Sequence, residues 1–352
     1  MTKIAVYTIA LNEENFAARW VESVKEADYL IVADTGSTDN TVPILRSLGV
    51  QVYDISIKPW RFDHARNTAM SLIPSDADVC LSLDMDEMMA PGWRSKVDQA
   101  WQPGTTRLRY TYVHSFDSSD NPLISYNADK CHARYNYTWK RPVHETVFSD
   151  QDECVVSAMD VIMWQKQDVH KSRGQYLPLL ELSHKENSEC AQTLFWLARE
   201  YAYQQQPEAA ITHFKKFLLM PHAWDVEKSE AQRWLSKLLP QDKLFWLRQA
   251  MSTAPYRRES WMDLAEHYYH NADWLNCLSY ATEGIKISHK SSNYLDTPEA
   301  WGAKLPDLAG IGAWNLGLRD MSLEFFEQAV ALAPEDDRIR NNLTTVKAAL
   351  GK

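Results

Sequence analysis

No CxxC pair occurs among the five cysteines, Cys80, Cys131, Cys154, Cys190 and Cys277, which are odd in number and widely spaced. Neither a zinc ribbon nor a disulfide framework is indicated, and reduced thiols in a cytoplasmic protein are the simplest account. No run approaches the ~18 apolar residues a membrane helix needs, and the amino terminus enters a strand-like run with no signal-peptide pattern. There is no GxGxxG and no P-loop, so any nucleotide is expected to be held at its base and ribose rather than by a phosphate cradle. Positive charge is not in excess. The net charge of −10 argues against non-specific binding to nucleic acid or anionic membrane. No low-complexity linker interrupts the chain.

What is present fills about two domains of ordinary size in 352 residues. Up to about residue 101, strand and helix patterns alternate. Lys3 to Ile9, Tyr29 to Ala33, Val50 to Ile55 and Val79 to Leu83 read as strands. Asn12 to Val24, Val42 to Leu48 and Phe62 to Leu72 read as helices, with Asn12 able to cap the first and Gly49 ending the second. This alternation predicts a mainly parallel, Rossmann-like α/β sheet, whose ligands bind beyond the carboxyl ends of the strands. Residues 105–148 change character, and the aromatic, basic stretch from Tyr126 to Val147 reads as antiparallel strands or loops beside the sheet. That stretch can be ordinary core or a stacking surface. From about residue 188 the pattern is all-helical. Three helix pairs, 191–219, 259–287 and 300–333, and a terminal helix over 336–350 read as degenerate tetratricopeptide-like repeats, which stack into an array with a concave face. The expected domains are 1–187 and 188–352.

The most informative segment is Leu83-Asp84-Met85-Asp86-Glu87, at the end of the apolar run 79–82. If the chain stays extended, Asp84 and Asp86 point to one side and Met85 to the other. Two carboxylates on one side suit a hard divalent cation shared with a substrate phosphate. An acidic loop after a strand is the alternative. Asp34 closes the second strand and can accept from a base or sugar. Ser37, Thr38 and Asp39 can cap the next helix or meet a ligand. Arg66 sits one turn into the helix that precedes the acidic strand, where it can pair with Asp84 or Asp86, meet a diphosphate, or lie on the surface.

The strings IAVYTIALNEENFAARWVESVKEADYLIVADTGSTDNT, RFDHARNTAM, LSLDMDE and TWKRPVHETV, in this order, resemble glycosyltransferase family 2, with the fold called GT-A. The resemblance covers about the first 150 residues well and the repeats loosely. It implies a metal-dependent, inverting transferase using a nucleotide-sugar donor, most often a UDP-sugar. By resemblance, Ile9, Ala10, Leu11 and Asp34 line the base and ribose, and Arg66 lies near the diphosphate. Asp84-Met85-Asp86 is the DxD motif: Asp84 faces ribose or metal, Met85 lies within the donor site, and Asp86 binds Mn²⁺ or Mg²⁺. An inverting displacement needs a base on the acceptor side. Glu145 is the first choice and Glu87 the second, with His144 a third metal or diphosphate contact; a buried structural His144–Glu145 pair is the alternative. His132, Arg134 and Trp139 are expected on the acceptor side. Two departures stand out. Thr35 occupies a place where many relatives have a second acid, and Gln165 falls where relatives often carry a His, the nearest being His170.

The acceptor stays open among peptide, glycan, lipid-linked glycan and modified nucleobase. The repeats are expected to orient it or to form a homodimer. A catalytically idle domain carrying a repeat scaffold is the competing reading. Glycoside hydrolysis, which needs carboxyls about 5–9 Å apart flanking the bond, fits the pattern poorly.

Overall fold

The computed structural model describes residues 2–117, 119–167 and 174–352. The chain divides into two compact units, Met1–Glu186 and Asn187–Lys352.

The first unit is built on an eight-stranded sheet. Its strands are β1 (Ile4–Ala10), β2 (Tyr29–Asp34), β3 (Gln51–Asp54), β4 (Val79–Ser82), β5 (Glu87–Met89), β6 (Arg107–Phe116), β7 (Pro122–Ala133) and β10 (Val155–Gln165), in the order β3-β2-β1-β4-β7-β6-β10-β5. The half from β3 to β4 is parallel; β7 is antiparallel to both β4 and β6, while β10 runs parallel to β6. β8 (Tyr137–Lys140) and β9 (Thr146–Ser149) form a separate hairpin.

Burial explains the arrangement. β1 and β4 are covered on both faces, as central parallel strands require. Ile4 and Val6 pack with Trp20, Trp93 and Val97 from helices α1 (Glu14–Val24) and α4 (Trp93–Ala100). The alternating residues Ala5 and Tyr7 pack on the other face with Ala69 and Met70 of α3 (Phe62–Ser71) and with Trp139. Between β2 and β3 lies α2 (Thr41–Ser47), and α5 (Tyr176–Glu186) closes the unit.

β5 stands four strand positions from β4 in the sheet order, roughly 19 Å across a flat sheet. Yet the Glu87 N–H donates to the Asp84 carbonyl at 2.9 Å, a β-turn whose ends lie within about 7 Å. The far edge of the sheet must therefore curl back toward its centre.

The second unit is helical. Hairpins α6–α7 (Ala191–Tyr203, Pro207–Leu218), α8–α9 (Asp225–Leu238, Lys243–Thr253), α10–α11 (Arg258–His270, Trp274–Lys286) and α13–α14 (Lys304–Asn315, Arg319–Leu332) follow in series. The short α12 (Pro298–Trp301) precedes α13, and α15 (Asp337–Ala349) ends the row. The α8–α9 hairpin was not among the three expected pairs. Glu227, Glu230, Gln232 and Arg233 are buried on α8, so its inward face lacks the apolar period that marks the others. No helix among the described residues is long and apolar enough to cross a membrane.

Candidate functional site

The loops after β1, β2 and β4 meet beyond the carboxyl ends of those strands. Asn12 does not cap α1: it takes a left-handed φ of 55°, tolerated by Asn, and its Oδ1 accepts from the Thr38 N–H at 2.8 Å. Asp39 serves as a local cap, accepting from the Thr41 N–H (2.9 Å) and hydroxyl (2.6 Å) at the start of α2. Asp34 is 3 % exposed. Its Oδ2 accepts from the Gly36 and Ser37 N–H groups, both at 2.9 Å, and its Oδ1 from the Ser37 hydroxyl. Its carboxylate thus shapes the loop. The Ala10 carbonyl accepts from the Thr35 N–H and hydroxyl, both at 2.9 Å. Ile9 is half-buried, Ala10 buried and Leu11 exposed.

The acidic segment is a turn, not a continuation of β4, so the expected extended alternation through Asp84-Met85-Asp86 is corrected: β4 ends at Ser82 and the chain folds over Asp84–Glu87. Met85, expected in the donor site, is 2 % exposed in the core with Val6 and Leu81. Asp84 and Asp86 remain partly exposed. The Trp20 indole of α1 donates to the Leu83 carbonyl at 3.0 Å and pins the entry to the turn.

Two cations, the buried Arg66 and the half-buried Lys130, face Asp84. Arg66 Nη1 lies 2.7 Å from its Oδ1 and Lys130 Nζ 3.7 Å from its Oδ2. Each is held from behind by a carboxylate. Glu145 meets Arg66 Nε at 2.5 Å. Both oxygens of Glu87 meet Lys130, at 2.7 and 2.8 Å. Glu87 also accepts from the Tyr112 hydroxyl (2.9 Å) and the Asp84 N–H (2.8 Å). Burial works against both cations, but Asp84 and Glu145 outweigh it at Arg66, and Glu87 and Asp84 outweigh it at Lys130, so both stay charged. Burial also raises the Glu87 carboxyl, against the pull of Lys130.

This geometry changes two expected roles. Glu87, the second choice for a base, is 1 % exposed with both oxygens committed to the turn and to Lys130. Glu145, the first choice, is held on Arg66. In this geometry Glu87 holds Lys130 and Glu145 holds Arg66. His144 takes a φ of 48° and packs edge-on against Tyr176 at 5.7 Å. Among the described residues no three of His, Cys, Asp and Glu gather around a metal-sized point, so His144 is not joined to Asp84 and Asp86 as a third ligand.

The three acceptor-side candidates are corrected as well. His132 is fully buried: its Nδ1 faces the Ala133 carbonyl at 2.7 Å and its Nε2 the Tyr7 hydroxyl at 2.9 Å. A carbonyl only accepts, so Nδ1 carries the hydrogen and Tyr7 donates to Nε2. Trp139 donates in turn to the Tyr7 oxygen at 2.8 Å and lies under Arg66 at 5.0 Å. Burial holds the His132 imidazole down at about 4. Arg134 donates to the carbonyls of Ile73 and Pro74. His132 and Trp139 thus belong to a hydrogen-bonded core, while Arg134 is half-buried against those carbonyls.

Residues not singled out from sequence complete the site. Gln165 donates to Asp86 Oδ2 at 3.2 Å, and its Oε1 pairs with His114 Nδ1 at 2.7 Å. Burial lowers His114. In the sequence Gln165 stands out only by falling where a His is expected, and His170 lies outside the described residues. Lys130 is reached because β7 runs antiparallel beside β4, a pairing no local periodicity announces. A cavity of about 330 Å³, lined in part by Asp78, Thr106, Ala133 and Tyr137, lies at the opposite, amino end of β4.

Residues 5–140 match the family model described as "Glycosyl transferase family 2". An uncharacterized glycosyltransferase of Rickettsia prowazekii is 35 % identical over 167 residues, 46 % of this chain and 55 % of that protein. One of Rickettsia conorii is 28 % identical over 165 residues, 43 % and 56 % of the two chains. A lipopolysaccharide core biosynthesis glycosyltransferase of Rhizobium meliloti is 27 % identical over 88 residues, 24 % and 32 %. The chain spans about half the length of the Rickettsia relatives it matches. Over its carboxyl-terminal half it is similar in fold to the crystal structure of MamA (TM-score 0.36, 17 % identity, 46 % of this chain and 89 % of that one). It is likewise similar to YrrB, described as a TPR protein with an unusual peptide-binding site (TM-score 0.37, 16 % identity, 49 % and 82 %). The serial hairpins themselves, not these likenesses, define the repeat.

Proposed function

From the premise that residues 5–140 form a glycosyl transferase family 2 domain, we propose that this unit transfers a sugar from a nucleotide-sugar donor, a UDP-sugar, with inversion. The observation that carries the reading is the Asp84–Asp86 turn at the carboxyl end of β4, set against the buried Arg66 and the half-buried Lys130. A donor diphosphate needs positive charge at the point where its leaving oxygen gathers negative charge. Arg66 and Lys130, each held from behind, are preorganised to supply part of it.

A divalent cation, Mn²⁺ or Mg²⁺, fits the donor set. Two partly exposed carboxylates share one turn, and such ions take one or two carboxylates and complete their shell with water and substrate phosphate. The charge balance agrees: Asp84, Asp86, Glu87 and Glu145 outnumber Arg66, Lys130 and Arg19, the last of which feels Asp86. Asp86, steadied by Gln165, and Asp84 would hold the ion, which when bound offsets charge on the departing nucleoside diphosphate. Glu145 holds the Arg66 fork in place, and Glu87 holds Lys130 and the turn.

Isothermal titration of the wild type and of Asp86→Ala with UDP, with and without Mn²⁺, tests this. The wild type is expected to bind UDP more tightly with Mn²⁺, and the variant to lose that increment while keeping its fold. A wild type that binds no nucleotide with Mn²⁺ present would instead favour an idle domain.

A further inference from the structure

The connection from α11 to α13 covers residues 287–303, whereas α9 reaches α10 through 254–257 and α14 reaches α15 through 333–336. The extra chain does not loop into solvent. It runs back along the row of first helices, past α10 to α8 and α6. The Tyr294 hydroxyl donates to Glu227 Oε1 of α8 at 2.5 Å and accepts from the Trp196 indole of α6 at 3.3 Å, with the Trp224 ring 6.3 Å away. Arg257 donates to the Leu295 carbonyl at 2.8 Å, and Glu259 Oε1 accepts from the Thr297 N–H at 3.0 Å.

This is how a groove reads an extended peptide. One pocket takes an aromatic side chain with its hydroxyl, and two charged groups take a backbone carbonyl and a backbone N–H two residues apart. Arg257 and Glu259 are each 1 % exposed. Arg257 Nε and Glu259 Oε2 face each other at 3.5 Å and make no hydrogen bond among the described residues. Burying such a pair costs more than apolar packing of the same volume, so a mere filler would be better served by apolar side chains. The segment is also shaped in advance: Asn293 and Asp296 close a turn on each other, at 2.7 Å between side chains and 3.2 Å from the Asn293 N–H.

We propose that residues 291–297 are an internal ligand seated in a peptide-binding site on α6, α8 and α10. The external partner that this site takes is an extended peptide with a tyrosine followed by an apolar residue, the pattern of Tyr294-Leu295. A tethered ligand acts at an effective concentration in the millimolar range, so the site stays closed to weaker peptides. This inference concerns the helical unit and stands apart from the donor site.

The test uses the full chain and a labelled synthetic peptide of residues 289–299. In one variant residues 291–297 are replaced by Gly and Ser at equal length. Fluorescence anisotropy is expected to show binding to this variant at least tenfold tighter than to the wild type. Changing the tyrosine of the peptide to alanine is expected to cost about tenfold or more. A folded replacement variant, helical by circular dichroism, that does not bind the peptide overturns the proposal, as does equal binding by the wild type. If the replacement variant does not fold, hydrogen exchange of Tyr294→Ala decides. Faster exchange confined to 291–297 supports an internal ligand, whereas loss of protection throughout α6, α8 and α10 shows an integral strut and ends the idea.

Discussion

At the scale of single residues, the site is organised by paired charges. Arg66 is the hub, and Glu145 and Asp84 bear on it from two sides. If Glu145 were the base, Glu145→Gln would cut turnover and leave donor binding alone. As the support of Arg66, it should instead weaken UDP binding about tenfold, with any loss of rate following from misplacement. Titration and steady-state kinetics on the one variant separate the two outcomes. His132 gives a second prediction, on stability. Its imidazole titrates at about 4 in the fold, below the ordinary ~6.5 of an unfolded His. Between those values the unfolded chain binds a proton that the folded chain does not, so stability falls as pH drops through that window. The contribution is on the order of 3 kcal/mol. His132→Gln should lose less stability than wild type between pH 7 and pH 4.5 in urea titrations.

The same residues show what could be read in advance. Asp84, Asp86 and Arg66 were legible because their spacing marks a strand end and the helix before it. His132 and Trp139 face the core and not an acceptor, because a buried polar chain and an open basic surface have the same composition. Only the hydrogen bonds from Trp139 through Tyr7 to His132 tell them apart.

At the scale of elements, β1, β2 and β4 were legible as apolar runs, since strands covered on both faces need little else. β10 was not. A register shift between Ala158 and Ile162 breaks its alternation, and much of it is exposed. α8 was hidden by its buried charges. In the second unit, close helix approach is set by small residues. A Cβ on Gly312 of α13 would meet the Leu278 backbone nitrogen at 3.1 Å and the Trp274 carbonyl oxygen at 3.2 Å. Backbone cannot step aside as a side chain can. Gly312→Ala should therefore destabilise by about 1–3 kcal/mol, although Ala is the better helix former by about 1 kcal/mol. Thermal unfolding followed at 222 nm measures the sum. Asp336 caps α15, its side chain accepting from the Ile339 N–H. Asp336→Ala should cost about 1 kcal/mol, seen as faster hydrogen exchange in α15.

At the scale of the molecule, each unit carries its own core. Ile4, Trp20 and Leu81 belong to one, and Leu264, Leu305 and Ala309 to the other. Residues 187–352 expressed alone should therefore fold cooperatively, with a helical circular dichroism spectrum. A non-cooperative melt would show that this core does not suffice. Surface connections of a domain ordinarily tolerate extra residues, because lengthening a loop costs little. The link from Ser82 to Glu87 is a different case. It carries the chain from the middle of the sheet to its far edge, and its shortness sets how tightly the sheet wraps. One added residue there is expected to shift Asp84 against Arg66 and Lys130. Length, more than composition, is the property of this segment that a designer of variants must leave untouched.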